Sequence, residues 1–220
     1  MTAPVMTIVG AGPGLGSALA HRFGAEGYRI GLIARNPAAL SELGDGLSAV
    51  GVESAAVVAN ASDADALRNA LDAVAVELGD PDVVVSNTSM MVEGLPTTID
   101  LGVFEQVWRV ACVSTLVALQ HVAPIMRTKG SGVFLVPGTA IAMRPWAPGV
   151  ALGSAKAAAR NVVMSAATEL APHNVHAAMI TIDGMITAEG PFAPDAIAQT
   201  FWSVSQQPPS QWHPEVVYSG

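Results

Sequence analysis

The chain of 220 residues is predicted to fold as an α/β protein, with a single-domain, Rossmann-type, doubly wound parallel sheet and helices on both faces. Short apolar runs alternate with helical patterns along the chain, as in successive βαβ units. Hydrophobic residues make up 51% of the chain and charged residues only 13%, which fits a sheet that is buried on both faces. The length fits one domain covering residues 1–220.

The strands and helices are assigned from this alternation. The apolar runs predict strands at Val5–Val9, Arg29–Ala34, Glu53–Ala59, Val83–Ser86, Val133–Val136 and Val175–Ile182. The helical patterns cover Leu15–Glu26, Pro37–Val50, Asp63–Leu78, Ile99–Thr128, Val150–Ala171 and Asp195–Gln206. A kink is expected near Pro124 because proline lacks a backbone N–H. The C-terminal tail, residues 208–220, has no clear period, and a short additional strand at Val216–Tyr218 is one interpretation.

Charge and cysteine content exclude several classes of protein. The net charge is −8, and lysine and arginine do not cluster, so no nucleic-acid partner is predicted. Cys112 is the only cysteine, which excludes an intrachain disulfide framework and fits a cytoplasmic protein. Among the histidines only His173 and His176 are closely spaced, and no metal site is predicted.

No membrane segment is predicted either. The N-terminus has no basic region before its apolar run, unlike a signal peptide. The long apolar stretch at residues 133–153 cannot cross a bilayer, because it is interrupted by Pro137, Arg144, Pro145 and Pro148.

A glycine-rich turn joins the first strand to the first helix. Its glycines are Gly10, Gly12, Gly14 and Gly16. A turn without side chains lets a phosphate approach the backbone N–H groups, and the N-terminus of the following helix favours an anion. The position between strand and helix is more specific than glycine spacing alone, although a tight turn that serves only packing is the alternative. The turn predicts a dinucleotide-binding site.

The residues after the second strand indicate which dinucleotide is bound. An acidic residue there binds the ribose 2′-hydroxyl of NAD, whereas an arginine suits the 2′-phosphate of NADP. This chain has Ala34 followed by Arg35, and its next carboxylate is Glu42. NADP is therefore predicted over NAD, the alternative being that Arg35 only faces solvent.

The order and spacing of these motifs resemble the short-chain dehydrogenase/reductase family over nearly the whole chain. Asn60 stands where the family usually has an aspartate that holds adenine, and residues 86–89 stand where it has N-N-A-G. Lys156 matches the lysine of the family's Y-x-x-x-K motif, and residues 183–187 resemble its P-G-x-x-x-T segment.

The glycine turn and the resemblance together imply a cofactor-binding set. It consists of Gly10, Gly12, Pro13, Gly14, Leu15, Gly16, Arg35, Asn60, Ala61, Asn87, Lys156, Gly184, Ile186 and Thr187.

The positions that face the substrate depart from the family pattern. Leu152 stands where the family has its catalytic tyrosine, and leucine cannot donate a proton at any pH. The family's serine falls on Gly138 or, with the spacing counted from Leu152, on Thr139. Its asparagine falls on Ala111. Thr139 and Lys156 are therefore the predicted catalytic residues.

The substrate side is also shorter than in the family. Residues 188–194 form a short predicted lid, and the family's C-terminal strand is hard to find. Of the two tyrosines, Tyr28 begins the second strand, and Tyr218 reaches the site only if the tail folds over it. Candidates for pocket walls are Pro145, Trp146, Trp202 and Trp212.

These residues leave more than one function open. The first is an NADP(H)-binding oxidoreductase that transfers hydride to or from a small carbonyl, alcohol or activated alkene without a tyrosine. The second is a catalytically inactive nucleotide-binding protein that acts as a sensor or assembly module. Segments 26–35 and 154–161 further resemble an uncharacterised branch of the family that also lacks the tyrosine. The third is non-redox chemistry in the same pocket. A homodimer or homotetramer is predicted through helices 104–128 and 150–171, which are rich in alanine and valine.

Overall fold

The strands form one seven-stranded parallel sheet with the order β3-β2-β1-β4-β5-β6-β7. The computed structural model describes residues 3–220, so the predicted domain extent of 1–220 stays a prediction. The strands are β1 (Val5–Val9), β2 (Arg29–Ala34), β3 (Ser54–Val58), β4 (Val83–Ser86), β5 (Gly132–Thr139), β6 (Val175–Ile182) and β7 (Glu215–Tyr218).

Helices cover both faces of the sheet and enclose two hydrophobic cores. They are α1 (Leu15–Gly24), α2 (Pro37–Ala49), α3 (Ala64–Leu78), α4 (Leu101–Trp108), α5 (Ser114–Lys129), α6 (Val150–Leu170) and α7 (Pro194–Ser205). One core lies under α1, α2 and α7 and the other under α3, α5 and α6. This architecture confirms the predicted fold class, because only helices on both faces can bury such apolar strands.

Local capping explains where two of the helices begin. The Asn36 side chain accepts hydrogen bonds from the backbone N–H groups of Ala38 and Ala39 at the start of α2. The Asp63 side chain does the same for Asp65 and Ala66 at the start of α3. Each cap satisfies N–H groups that have no partner inside the helix.

The long apolar helix changes its geometry before Pro124 rather than at it. A π turn, Arg109–Val113, joins α4 to α5 and packs against α6. Helix α5 continues through Pro124, which is exposed to solvent, so that water can satisfy the carbonyl freed by the proline. Among the described residues, segment 101–129 alone has the length and hydropathy to cross a membrane, but 56% of its most apolar window is buried inside the fold.

The carboxyl ends of the strands open a cleft at the point where the strand order reverses. Strand β1 pairs with β2 on one side and with β4 on the other. The loops after β1 and β4 therefore diverge, which is where ligands bind in doubly wound sheets. Loops 87–99, 140–149 and 183–193 follow β4, β5 and β6 on the same edge.

The tail contains a seventh strand, for which the sequence offers only the short apolar run at Val216–Tyr218. Residues Glu215–Tyr218 form β7, which pairs in parallel with Met179–Ile182 of β6. The Glu215 carboxylate accepts hydrogen bonds from Arg160 Nε at 2.9 Å and from Thr181 Oγ1 at 2.7 Å. These contacts tie β7 to α6 and β6. The Arg160 guanidinium holds the pKa of Glu215 below its ordinary value, against the opposing effect of burial.

Replacement of Glu215 tests how β7 is held in place. Because its pKa is lower in the folded chain, its stabilisation is present above the unfolded value of 4.5 and is lost as the pH falls through the folded value. We expect Glu215→Gln to lower the free energy of unfolding by about 1–3 kcal/mol at neutral pH, since hydrogen bonds to charged groups have this strength.

Thermal unfolding of both proteins between neutral and acid pH measures this effect. The difference in Tm should shrink towards zero at the acid end. Glu26→Gln removes an exposed pair with Arg22 and serves as the control, with an expected loss of about 0.5 kcal/mol or less. A Glu215→Gln difference that does not change with pH would contradict this account of β7.

Candidate active site

Two glycines of the β1–α1 turn are required by close packing. Gly10 has a φ of 93°, and a Cβ there would lie 2.7 Å from the backbone oxygen of Asn87. A Cβ at Gly16 would lie 2.9 Å from the backbone oxygen of Gly10. The turn therefore fits directly against the loop after β4 and the start of α1.

The other two glycines leave free space instead. A Cβ added at Gly12 or Gly14 would meet no protein atom within 4 Å. Helix α1 follows Gly14 without a side-chain cap. In its first turn, Ser17 N–H donates to Gly12 O and Ala18 N–H to Gly14 O, both at 3.0 Å, so the N–H groups of Leu15 and Gly16 remain at the positive end of the helix dipole. The turn can thus accommodate an anion that lies against its backbone.

A cavity of about 300 Å³ extends from this turn across the ends of β1, β2 and β3. Among its lining residues are Gly10, Ala11, Gly12, Pro13, Ala34, Arg35, Asn36, Ala59, Asn60, Ala61, Ser62 and Asn87. Arg35 is exposed at the cavity edge. The Asn60 side chain accepts hydrogen bonds from the backbone N–H and the hydroxyl of Ser62, at 3.2 and 3.0 Å.

A second cavity of about 210 Å³ adjoins the first at Asn87 and Ser89. Its other lining residues are Leu15, Pro137, Gly138, Thr139, Leu152, Lys156, Ile182, Gly184 and Ile186. The structure thus brings both predicted catalytic residues together in one cavity. Lys156 is the one titratable side chain in this lining.

Lys156 is buried and fixed by two backbone carbonyls. Its Nζ donates to Thr88 O at 3.1 Å and to Pro137 O at 3.0 Å. Only 3% of the residue is exposed. Burial lowers the pKa of Lys156 to about 8, an effect that the neighbouring Cys112 thiol opposes. The lysine therefore changes its charge near neutral pH.

The substrate-facing positions can now be placed. Gly138 has no room for a side chain, because a Cβ there would lie 2.6 Å from Thr181 Oγ1. Thr139 carries the hydroxyl on that side of the cavity, and Leu152 contributes a largely buried apolar side chain. Ala111 is buried within the π turn, outside the lining.

The loop after β6 places only part of the predicted cofactor segment at the cavity. Gly184 and Ile186 line it, whereas Thr187 turns away and donates from Oγ1 to Glu189 O at 2.8 Å. The Tyr218 hydroxyl donates to Pro191 O, so Tyr218 holds this loop and does not line the cavity. Tyr28 packs edge-on against Phe23, far from the site.

The tryptophans proposed as pocket walls lie elsewhere. Trp202 packs in the core against Phe23, with ring centroids 5.2 Å apart. Trp212 stacks on the buried imidazole of His176 at 4.8 Å. Pro145 and Trp146 border a separate cavity of about 450 Å³ beside the start of α6. These aromatic side chains lie outside the cavity that holds Thr139 and Lys156.

Two features escape the sequence analysis. Arg144 forms an ion pair with Asp183 and links the loops after β5 and β6. Trp108 Nε1 donates to Ser154 Oγ at 3.0 Å and links α4 to α6. Each pair is far apart in sequence, so no local motif indicates it. Residues 3–220 contain no group of three or more His, Cys, Asp or Glu side chains suited to a metal.

The strand order and the glycine turn at the reversal point define a Rossmann-type fold, and comparison with known proteins narrows this to one family. The family model of short chain dehydrogenases matches residues 4–190. The chain therefore belongs to the short-chain dehydrogenase/reductase family, in agreement with the resemblance seen in its motifs.

Individual relatives are distant. The chain is 30% identical over 162 residues to tropinone reductase-like 3 of Erythroxylum coca, which covers 73% of this chain and 62% of that protein. It is 27% identical over 160 residues to the short-chain dehydrogenase/reductase SDRA of Arabidopsis thaliana, covering 72% and 62%. The match thus spans about three fifths of the length of these curated relatives.

Solved structures cover nearly the whole chain. A metagenomic short-chain oxidoreductase in complex with NADP superposes with a TM-score of 0.90 at 25% identity, covering 99% of this chain and 97% of that chain. A short-chain dehydrogenase from Rhodopseudomonas palustris gives a TM-score of 0.90 at 28% identity, covering 99% and 98%.

Proposed function

We propose that this protein is an NADP(H)-dependent oxidoreductase that transfers hydride to or from a small carbonyl, alcohol or activated alkene without a tyrosine acid. The observation that carries the proposal is the pair of adjoining cavities. One extends from the glycine turn, and the other holds the buried Lys156 beside Thr139.

The described residues fit a nicotinamide dinucleotide. The open space at Gly12 and the uncapped start of α1 suit a pyrophosphate. Ala34, Asn60 and Ala61 would surround the adenosine end, and the nicotinamide end would lie near Gly184. The complex of a related short-chain oxidoreductase with NADP supports this assignment.

The preference for NADP rests on Arg35. The end of β2 presents a guanidinium, and the next residue, Asn36, uses its side chain to cap α2. A guanidinium suits a 2′-phosphate, whereas a carboxylate would be needed to bind the 2′-hydroxyl of NAD.

The chemistry divides between the cofactor and the chain. A bound nicotinamide dinucleotide supplies or accepts the hydride. Reduction of a carbonyl also needs one proton at its oxygen. Thr139 would donate a hydrogen bond to that oxygen, and Lys156, or a water that it holds, would supply the proton. Leu152 would help to exclude bulk water from the reacting atoms.

A catalytically inactive nucleotide-binding protein is the second candidate. Leu152 supports it, because this position offers no proton. The lowered pKa of the buried Lys156 favours the oxidoreductase, since titratable groups with shifted pKa values in a cleft are typical of catalytic sites.

The expected partners follow from surface chemistry. A net charge of −8 disfavours nucleic acid, and a cavity of about 210 Å³ fits only a small molecule or part of one. The single, buried Cys112 agrees with a cytoplasmic protein.

Arg35→Ala tests the cofactor assignment. We expect the variant to bind NADPH about tenfold or more weakly, because a charge-assisted hydrogen bond to the 2′-phosphate is lost. NADH binding should change by less than about twofold, since NADH carries no 2′-phosphate. Fluorescence titration of both nucleotides measures these affinities.

Two further variants are compared in the same titration. Gly12→Ala should leave Tm unchanged, because the added methyl group points into free space beside the turn. It should weaken the binding of both nucleotides, because the methyl group would occupy the space where their phosphates are expected. Arg68→Ala is the matched control, an exposed arginine paired with Asp65 on α3. Wild-type protein that binds neither nucleotide would refute the oxidoreductase proposal.

The pH profile tests the role of Lys156. Protonated lysine is the competent form for reduction, so the rate of NADPH oxidation should fall as the pH rises through about 8. Lys156→Met should abolish the reaction and this pH dependence. Lys129→Met, at the chain's other lysine, should retain both.

A screen of carbonyl compounds and enones supplies the substrate for this measurement. A rate that stays constant, or rises, between pH 7 and 9 would exclude Lys156 as the proton source. Turnover that persists in Lys156→Met would exclude it as well.

Self-association completes the proposal. Leu101, Val113 and Leu116 are exposed apolar side chains on α4, the π turn and α5. Val113 and Leu116 lie within residues 104–128, one of the two helical segments through which we expect two chains to pack, and Leu101 lies just before it. Light scattering at micromolar concentration should give at least twice the chain mass of 22.4 kDa. Leu116→Asp should reduce this mass, whereas Val76→Asp, at an exposed site on α3, should not.

A further inference from the structure

Three loops lie on the same edge of the sheet as the cavity that holds Thr139 and Lys156, and the first and third of them contribute residues to its lining. These mouth loops are residues 87–99, 140–149 and 183–193, which follow β4, β5 and β6. Gly94 N–H donates to Pro148 O at 2.8 Å and connects the first loop to the second. The ion pair of Arg144 with Asp183 connects the second to the third.

The mouth loops expose large apolar side chains. Each of the following is at least 44% exposed: Met91, Leu95, Met143, Trp146, Met185 and Ile186. Exposed apolar groups that gather around a cavity mark a binding surface rather than ordinary surface variation. Flexible methionine side chains can adapt to ligands of different shape.

The charges on the same loops are few and mostly negative. The mouth loops contain one cationic residue, Arg144, and three acidic residues, Glu93, Asp183 and Glu189. Because Asp183 pairs with Arg144, no unpaired cation is left in the mouth loops to receive an anionic ligand. The two other carboxylates repel an anion.

Asp183 is held in place to form this pair. Its N–H donates to Tyr218 O at 2.8 Å, and the N–H of Arg144 donates to Ala140 O at 2.8 Å. Asp183 stands between Ile182 and Gly184, both of which line the catalytic cavity. Neither Asp183 nor Arg144 is itself in the lining, so the ion pair lies next to the cavity and not inside it.

We propose that Asp183 is a specificity-determining residue, which neutralises Arg144 so that the protein takes an uncharged, predominantly apolar substrate. A carboxylate or phosphate on the part of the substrate that contacts the mouth loops is disfavoured. The proposal rests on the proposed function in one respect, namely that the substrate reacts in the cavity of Thr139 and Lys156.

Two dyes of opposite character test this directly. Nile red is uncharged, and anilinonaphthalene sulfonate is a similarly apolar anion. Wild-type protein should bind Nile red more tightly. Asp183→Asn should increase the affinity for the anionic dye by about fivefold, which is the effect of one unpaired charge near a water-exposed contact. The affinity for Nile red should change by less than about twofold.

The second variant separates charge from structural damage. Arg144→Gln in the Asp183→Asn background removes the unpaired guanidinium, so the affinity for the anionic dye should return to the wild-type value. Met185→Gln should weaken Nile red, because Met185 is an exposed apolar residue of the mouth loops. Unchanged affinity for the anionic dye in Asp183→Asn, or for Nile red in Met185→Gln, would overturn the proposal.

Dye binding needs no turnover, so the two proposals fail separately. A protein that shows the expected dye affinities but oxidises NADPH with no carbonyl compound or enone keeps the specificity inference and loses the reaction. A protein that reduces a carboxylated ketone as well as its methyl ester loses the specificity inference alone.

Discussion

The contact between the β1–α1 turn and the loop after β4 is the constraint on which the site depends. Asn87 N–H donates to Val9 O at 2.7 Å, and Asn87 Nδ2 donates to Gly10 O at 2.9 Å. This close approach is possible only because residue 10 has no side chain. It fixes both walls of the cleft where the strand order reverses, and the two cavities meet at Asn87. Every later element of the site is positioned relative to this contact.

Lys156 connects the loop after β4 to the second cavity. Its ammonium joins the loop after β4 to β5 through two carbonyl groups. A buried charge is costly unless it is hydrogen-bonded, and the lowered pKa of Lys156 reflects the part of that cost that remains. The lysine is therefore both a structural tie between two strand ends and the titratable group of the cavity.

The sequence predicts well what depends on local pattern. Buried strands, capped helices and the glycine turn have signals within a few residues, and the predicted parallel sheet is confirmed. The edge strand β7 is missed as a firm element, because only four residues form it and contacts with Arg160 and Thr181 stabilise it. The π turn at 109–113 has no signal either, since it depends on packing against α6.

The same distinction between local pattern and long-range packing applies to the residues of the candidate site. Gly12, Asn87 and Lys156 have motif positions that place them in the cleft. The three predicted tryptophans have no motif position, and the structure directs them elsewhere. Thr187 has a motif position, but its hydroxyl donates to Glu189 O within its own loop. Asp183 and Arg144 are 39 positions apart, so only the fold brings them together.

The pairing of β7 with β6 also sets an order of assembly. The residues that line the cavity at the glycine turn all lie between Gly10 and Val110. The loop beside Gly184 is held by Tyr218, which is synthesised well after all of them. Because domains fold as the chain is synthesised from its N-terminus, the part around the glycine turn can form early. The loop beside Gly184 acquires its final shape only after β7 has been synthesised.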